Sequence, residues 1–239
     1  MPGQELRYQA DGLQMVGSLH RPDGGGRAPA VLVFPEGPGL GEHPIERAER
    51  IARELGCVAL AADLYGERRQ LAGEEMMAAL GPLRAGPEHV RARASGALQA
   101  LTAQPDVDAS RVAAIGFCFG GTMAFELALS GADLKAAIGF HSGLQVTSPQ
   151  DAGQIKGKVM ALLGADDPMI TPENRLAFDR MLGAAGVDWQ MTVYGGVVHS
   201  FTNKGVDQAG RPEALRYDAR ADRRSWKQMA DLLEEVFGS

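Results

Sequence analysis

Arg111-Val112-Ala113-Ala114-Ile115-Gly116-Phe117-Cys118-Phe119-Gly120-Gly121 runs from a continuous apolar stretch into a segment of helical character over about 119–130. Apolarity at successive positions, rather than alternate ones, is the mark of a strand buried on both faces in a parallel sheet. The cysteine sits at the junction, with glycine two residues before it and two after. A side chain held on so tight a strand-to-helix turn brings the chain against itself at those two positions, and glycine removes the collision. The turn presents the thiol at a helix N-terminus, where the free N–H groups and the helix dipole favour a thiolate.

Working outward, the same alternation recurs. Ala30–Phe34, Cys57–Ala62, Leu134–Phe140, Gly157–Leu163 and Asp188–Tyr194 read as further strands. Helical segments are expected over about 44–55, about 72–103 (broken near Gly81-Pro82 and Gly86-Pro87), about 172–185 and about 213–236. Glu5–Ala10 and Leu13–Leu19 flank Asp11-Gly12, a hairpin signal. Strands alternating with helices predict an α/β fold: a mostly parallel sheet, helices on both faces, and an antiparallel N-terminal edge. No linker interrupts the pattern, so residues 1–239 are expected to form a single domain.

The chain of 239 residues carries a net charge of −6. It has no basic block, which argues against nucleic acid as a partner. The short arginine runs at 91–93 and 220–224 read as solvated helix faces. No signal peptide or membrane-length apolar run is visible, and the expected location is cytoplasmic. Two cysteines, Cys57 and Cys118, exclude a disulfide scaffold. Trp189 and Trp226 are expected in the core. The expected assembly is a monomer or a small homo-oligomer.

Ligands of such folds sit beyond the carboxyl ends of the strands, and reactive residues gather there. Glu36-Gly37, Asp63-Leu64-Tyr65, Cys118, His141-Ser142, Asp166-Asp167 and His199 each follow a buried strand. G-x-C-x-G is the G-x-S-x-G turn with sulfur for oxygen, and in the hydrolases that use it the chain order is nucleophile, acid, histidine. Cys118, then Asp166 or Asp167, then His199 satisfy that order. Phe119 N–H is placed to stabilise an oxyanion. His141 could line the pocket, and His20, His43 and His89 read as surface groups. Once Cys118, His199 and the aspartate are assigned, no metal-ligand cluster remains, so no metal or cofactor is expected.

Gly116-Phe117-Cys118-Phe119-Gly120-Gly121, Gly164-Ala165-Asp166-Asp167-Pro168 and His199-Ser200-Phe201-Thr202-Asn203 together resemble the dienelactone hydrolase family (carboxymethylenebutenolidases). The similarity extends from about residue 12 to 236. The resemblance implies the α/β-hydrolase fold and a Cys118–His199–Asp167 triad. It also implies a glutamate, Glu36, that contacts the resting thiol until substrate displaces it, and Gly37 N–H as the second oxyanion donor. Asn203 stands where the family's well-studied members carry a substrate-binding arginine. Tyr65, His141, Asn203 and Lys204 are the candidate substrate-binding residues, with Arg84 and Arg68 as possible replacements for a second arginine of the family.

The expected activity is hydrolysis of an activated ester or lactone by two-step acyl transfer. Three other readings stand beside it: a broad small-ester carboxylesterase, a thiol sensor, and a non-catalytic binding protein on the same fold.

Overall fold

The computed structural model describes residues 3–146 and 149–238. β1 (Gln4–Ala10) and β2 (Leu13–His20) form the expected hairpin, with Ala10 opposite Leu13 and both turn residues, Asp11 and Gly12, at positive φ. β2 continues antiparallel onto β4 (Val58–Ala61). From there the sheet is parallel: β3 (Ala28–Phe34), β5 (Val107–Phe117), β6 (Ala136–Phe140), β7 (Lys158–Gly164) and β8 (Trp189–Tyr194). Among the described residues these eight strands form one sheet in the order β1-β2-β4-β3-β5-β6-β7-β8.

That order positions the site. After β3 the chain turns to one side to make β4, then crosses to the other side of β3 to make β5. Connections leaving neighbouring strands in opposite directions open a crevice at their carboxyl ends. β3 and β5 flank that crevice, and they deliver Glu36-Gly37 and Cys118.

Side chains alternate across the strands and feed two cores. Leu32, Phe34, Val112 and Ala114 face α2 (Gly73–Ala85), α3 (Pro87–Thr102), α4 (Phe119–Leu129) and α5 (Pro172–Ala184). Val31, Val33, Ile115 and Phe117 face α1 (Glu42–Leu55) and α6 (Ala219–Phe237). No described helix is long and apolar enough to cross a membrane.

Three boundaries differ from expectation. α2 runs through Pro82 rather than breaking there; the break comes at Gly86-Pro87, with Gly86 extended and Pro87 at the first position of α3, where its missing N–H costs nothing. β5 starts at Val107, which pairs with Ala28. The closing helix starts at Ala219, capped by Asp218, and not at 213. The backbone of 213–218 is used elsewhere: Ala214 O accepts from His199 N, while Arg216 N and Asp218 N donate to His199 O and Phe201 O. This segment forms a brace beside the histidine loop. Trp226 is buried, with Arg50 stacked on its ring at 3.8 Å, whereas Trp189 is only half-buried.

Candidate active site

Cys118 caps α4 at φ 55° and ψ −117°, a conformation that side chains rarely adopt. It is held by Cys118 N donating to Phe140 O at 3.0 Å and Gly121 N donating to Cys118 O at 3.2 Å. Cys118 as a residue is partly exposed, and Phe119 N–H hydrogen-bonds to its sulfur. Burial pushes the thiol's pKa up, and the nearby Glu36 charge pushes the same way. The His199 ring and Phe119 N–H outweigh both, so the net shift is downward.

His199 lies beyond β8, with its ring 3% exposed. Its Nδ1 is 2.7 Å from Oδ2 of Asp167, whose side chain is fully buried. Asp167 is itself fixed by Met169 N donating to Oδ1 at 2.9 Å. The neighbouring Asp166 is exposed, so it is Asp167 that pairs with the histidine. Nε2 of His199 is buried with no hydrogen-bond partner, and the charges acting on the ring are those of Cys118 and Asp167. Burial lowers the ring's pKa, but the Cys118 and Asp167 charges and the Asp167 hydrogen bond dominate and raise it. An acid shifted down beside a base shifted up favours a thiolate–imidazolium pair.

Across the crevice, Tyr65 Oη donates to Gly37 O at 2.6 Å and so orients the Gly37–Pro38 peptide. Burial pushes the Tyr65 hydroxyl up to about 12, which keeps it a donor. Tyr65 is placed in turn by Asp63, whose buried carboxylate accepts from Tyr65 N, Val16 N and Arg68 N at 3.1, 3.0 and 2.8 Å. Asp63→Ala leaves these donors without their acceptor. It is expected to cost about 2–4 kcal/mol, read as a lowered urea midpoint with an unchanged slope.

The remaining candidates divide. Glu36 lies in the crevice, but its Oε1 lies 2.8 Å from His43 Nδ1 and accepts from Asn203 Nδ2 at 3.0 Å; it acts on the thiol through charge. Asn203 thus faces Glu36, and its own Oδ1 accepts from Gly205 N. Lys204 is exposed at the start of the 3₁₀ turn Lys204–Ala209. Arg84 stands over the Phe119 ring at 5.9 Å, while the Arg68 charge acts on His20. His141 is a correction. It is fully buried behind the His199 ring, centroids 5.1 Å apart, with Nε2 bonded to Thr202 Oγ1 at 2.9 Å, and no surface remains for a ligand. Burial and the His199, His43 and Arg47 charges hold its pKa well below the usual range, so it packs as a neutral ring.

His43 and His20 are also corrected: both are buried, whereas the His89 side chain is exposed and pairs with Asp11. His20 bonds to Ser18 Oγ at the edge of the sheet. His43 belongs to a set of site residues that motif reading missed. Arg47 Nε donates to His43 Nε2 at 3.1 Å, Arg47 Nη2 reaches both Thr202 O and Asp222 Oδ1, and Thr202 Oγ1 lies 3.3 Å from His43 Nε2. A signal was present: His43, Arg47 and Ile51 recur every four residues on the buried face of α1. Among the described residues, no group of three His, Cys, Asp or Glu side chains is arranged to hold a metal ion.

A sheet crevice with a cysteine on a tight strand-to-helix turn, facing a histidine paired to a buried aspartate, is an arrangement of the α/β-hydrolases. The dienelactone hydrolase family model matches residues 15–237, and the chain belongs to that family. It is therefore a hydrolase of the dienelactone hydrolase type. It is 29% identical to a Synechocystis protein provisionally named carboxymethylenebutenolidase, over 93% of this chain and 92% of that one. Among solved structures it is similar to a dienelactone hydrolase-like promiscuous phosphotriesterase from metagenomic libraries. That pair has 41% identity and a TM-score of 0.93, covering 99% of this chain and 98% of the other. A second structure, m3DLH, is 46% identical with a TM-score of 0.91, covering 98% of both chains.

Proposed function

We propose that the protein hydrolyses activated carboxylic esters or lactones by two-step acyl transfer through Cys118. The observation that carries this reading is the Cys118–His199–Asp167 alignment at the N-terminus of α4. The thiolate attacks the carbonyl carbon, and the oxyanion is held by the N–H groups of Phe119 and Gly37. The acyl–oxygen bond breaks as the His199 imidazolium gives its proton to the leaving alkoxide. His199 then takes a proton from water, whose hydroxide attacks the thioester and releases the acid and the thiol. Thiolates acylate readily where the leaving group is stable, as with aryl esters and enol lactones, so these are favoured as substrates over plain alkyl esters.

The test is intact-mass spectrometry after mixing with 4-nitrophenyl acetate. One acetyl group on the peptide containing Cys118, appearing with the burst of nitrophenolate, supports the reading. Turnover with no acylated cysteine at any time rejects it. The pH profile carries a sign as well. The thiolate is lost as pH falls through the depressed thiol pKa, so the burst rate drops on acidification and holds through neutral pH.

Asp167→Asn is expected to lower kcat for the same ester by on the order of 10³–10⁴-fold with little change in KM, because an amide neither fixes the His199 tautomer nor stabilises its cation. A steady-state comparison with wild type decides it.

The likeness to a promiscuous phosphotriesterase favours one further substrate class. The same thiolate could displace an aryloxide from an aryl phosphotriester, with the phosphoryl oxygen in the oxyanion site. An aryl phosphotriester therefore belongs on the panel beside the ester, the lactone and a plain alkyl ester. Phosphorylation of Cys118 without release would mark it as an inhibitor rather than a substrate.

A further inference from the structure

Glu36 is a nearly buried carboxylate beside the nucleophilic turn, with its side chain 12% exposed. A carboxylate so placed has two options. It can take a proton or hydrogen bond from the thiol, or it can be satisfied elsewhere and leave the thiol to the histidine. Here it is satisfied elsewhere. Its Oε1 lies 2.8 Å from His43 Nδ1 in a buried polar contact and accepts a hydrogen bond from Asn203 Nδ2 at 3.0 Å.

The His43 contact is enforced from behind. A guanidinium has only donors, so Arg47 Nε–H donates to His43 Nε2, which must therefore be the bare acceptor of the ring. The ring proton is left on Nδ1, the nitrogen that lies against Glu36. Arg47 is in turn fixed by its ion pair with Asp222 on α6 and its hydrogen bond to Thr202 O. Thr202 precedes Asn203, so one anchored arginine secures both partners of Glu36. Burial raises the Glu36 pKa, but the His43 ring, its own N–H and Asn203 prevail and keep it ionised.

We propose that His43 and Asn203 are positioning residues that hold the Glu36 carboxylate off Cys118, leaving the resting thiol paired with His199 before any substrate arrives. The proposal rests on the reading of Cys118 as the nucleophile. It departs from the substrate-triggered arrangement that the family resemblance implies, in which the glutamate contacts the resting thiol. A nucleophile armed at rest needs no anionic handle on the substrate to release it. That fits a site with Asn203 in place of an arginine, and it opens the enzyme to neutral electrophiles.

The test is the rate of Cys118 alkylation by iodoacetamide against pH, without substrate, read by mass spectrometry of the full chain. Cys57 is buried, with its pKa pushed up to about 11, and stays silent. The groups facing the Cys118 thiol are His199, Glu36 and Tyr65. A free thiol titrates near pH ~8.5, and wild type is expected to label with a midpoint well below that. In His43→Phe the freed carboxylate turns to the thiol, so the midpoint rises by about one unit and labelling near neutral pH slows roughly tenfold. Adding Glu36→Gln to His43→Phe restores fast labelling, which a purely structural role of His43 would not do. Asn203→Ala, in a half-exposed loop, shifts the midpoint the same way by less, and it decides the question should His43→Phe fail to fold. The proposal is overturned by a wild-type midpoint at the free-thiol value, by an Asn203→Ala midpoint equal to that of wild type, or by a double variant as slow as the single. Failure of the nucleophile reading looks different: Cys118→Ala would keep its esterase turnover whatever the labelling profiles show.

Discussion

Cys118→Ala is expected to fold as wild type does and to lose hydrolysis of 4-nitrophenyl acetate and of an enol lactone by on the order of 10⁴-fold or more. The fold survives because alanine is no worse than cysteine at φ 55°, and Cys118 lines the crevice rather than the sealed core. The activity does not survive, because every covalent step passes through the sulfur. A residue of rate over water should remain, since the N–H groups of Phe119 and Gly37 still meet the oxyanion. Steady-state rates together with a thermal unfolding curve make the measurement. Lost turnover with an unchanged unfolding midpoint assigns the nucleophile. Equal turnover in the two proteins would send the search to another group in the crevice and revive the sensing and binding readings.

Much of this arrangement is legible in the sequence. Local pattern carries it: the apolar run into Gly116, the glycines on either side of Cys118, and Asp11-Gly12 between two strand-like runs are interactions among near neighbours. Asp166 and Asp167 are not separable on local grounds, since both follow β7. The family turn favours Asp167, and burial separates them in the structure, one exposed and one packed against His199. What stays hidden depends on contacts between distant parts of the chain. The strand order that puts β5 beside β3 leaves no trace in composition. Residues 213–218 have helix-like composition, but their backbone is used in bracing His199 and Phe201. His43 reads as a surface group because a polar residue early in a helix usually is one. Only the convergence of Glu36, Thr202 and Asp222, from the end of β3, the histidine loop and α6, makes a buried site for it and for Arg47. Its four-residue spacing with Arg47 and Ile51 is the one visible clue.

Gly116→Ala is expected to be the most damaging single methyl group in the chain outside the chemistry itself. A β-carbon on Gly116 would fall far inside van der Waals contact with the carbonyl carbon and oxygen of Gly120, on the far side of the turn. Those are backbone atoms, so no rotamer change relieves the overlap. Gly120 cannot retreat either. A β-carbon on Gly120 would collide in the same way with the carbonyl oxygens of Phe34 and Pro35, at the end of β3. The strand-to-helix turn is thus pressed between two layers of main chain, and easing one contact tightens the other. Moving the turn outward would also break the bond from Cys118 N to Phe140 O and disturb the pairing of Gly116 with Phe34 on one side and Gly139 on the other. A cost above about 4 kcal/mol follows, at the extreme of what point substitutions do. That is a large fraction of the roughly 5–15 kcal/mol that holds a domain folded. The variant should accumulate in the insoluble fraction or unfold at a much lower urea concentration. Ala113→Gly, on the same strand but remote from the turn, should cost about 1 kcal/mol and serves as the control. A Gly116→Ala protein with the wild-type midpoint would mean that the turn has room to widen, and the steric reason for glycine on each side of Cys118 would then fail.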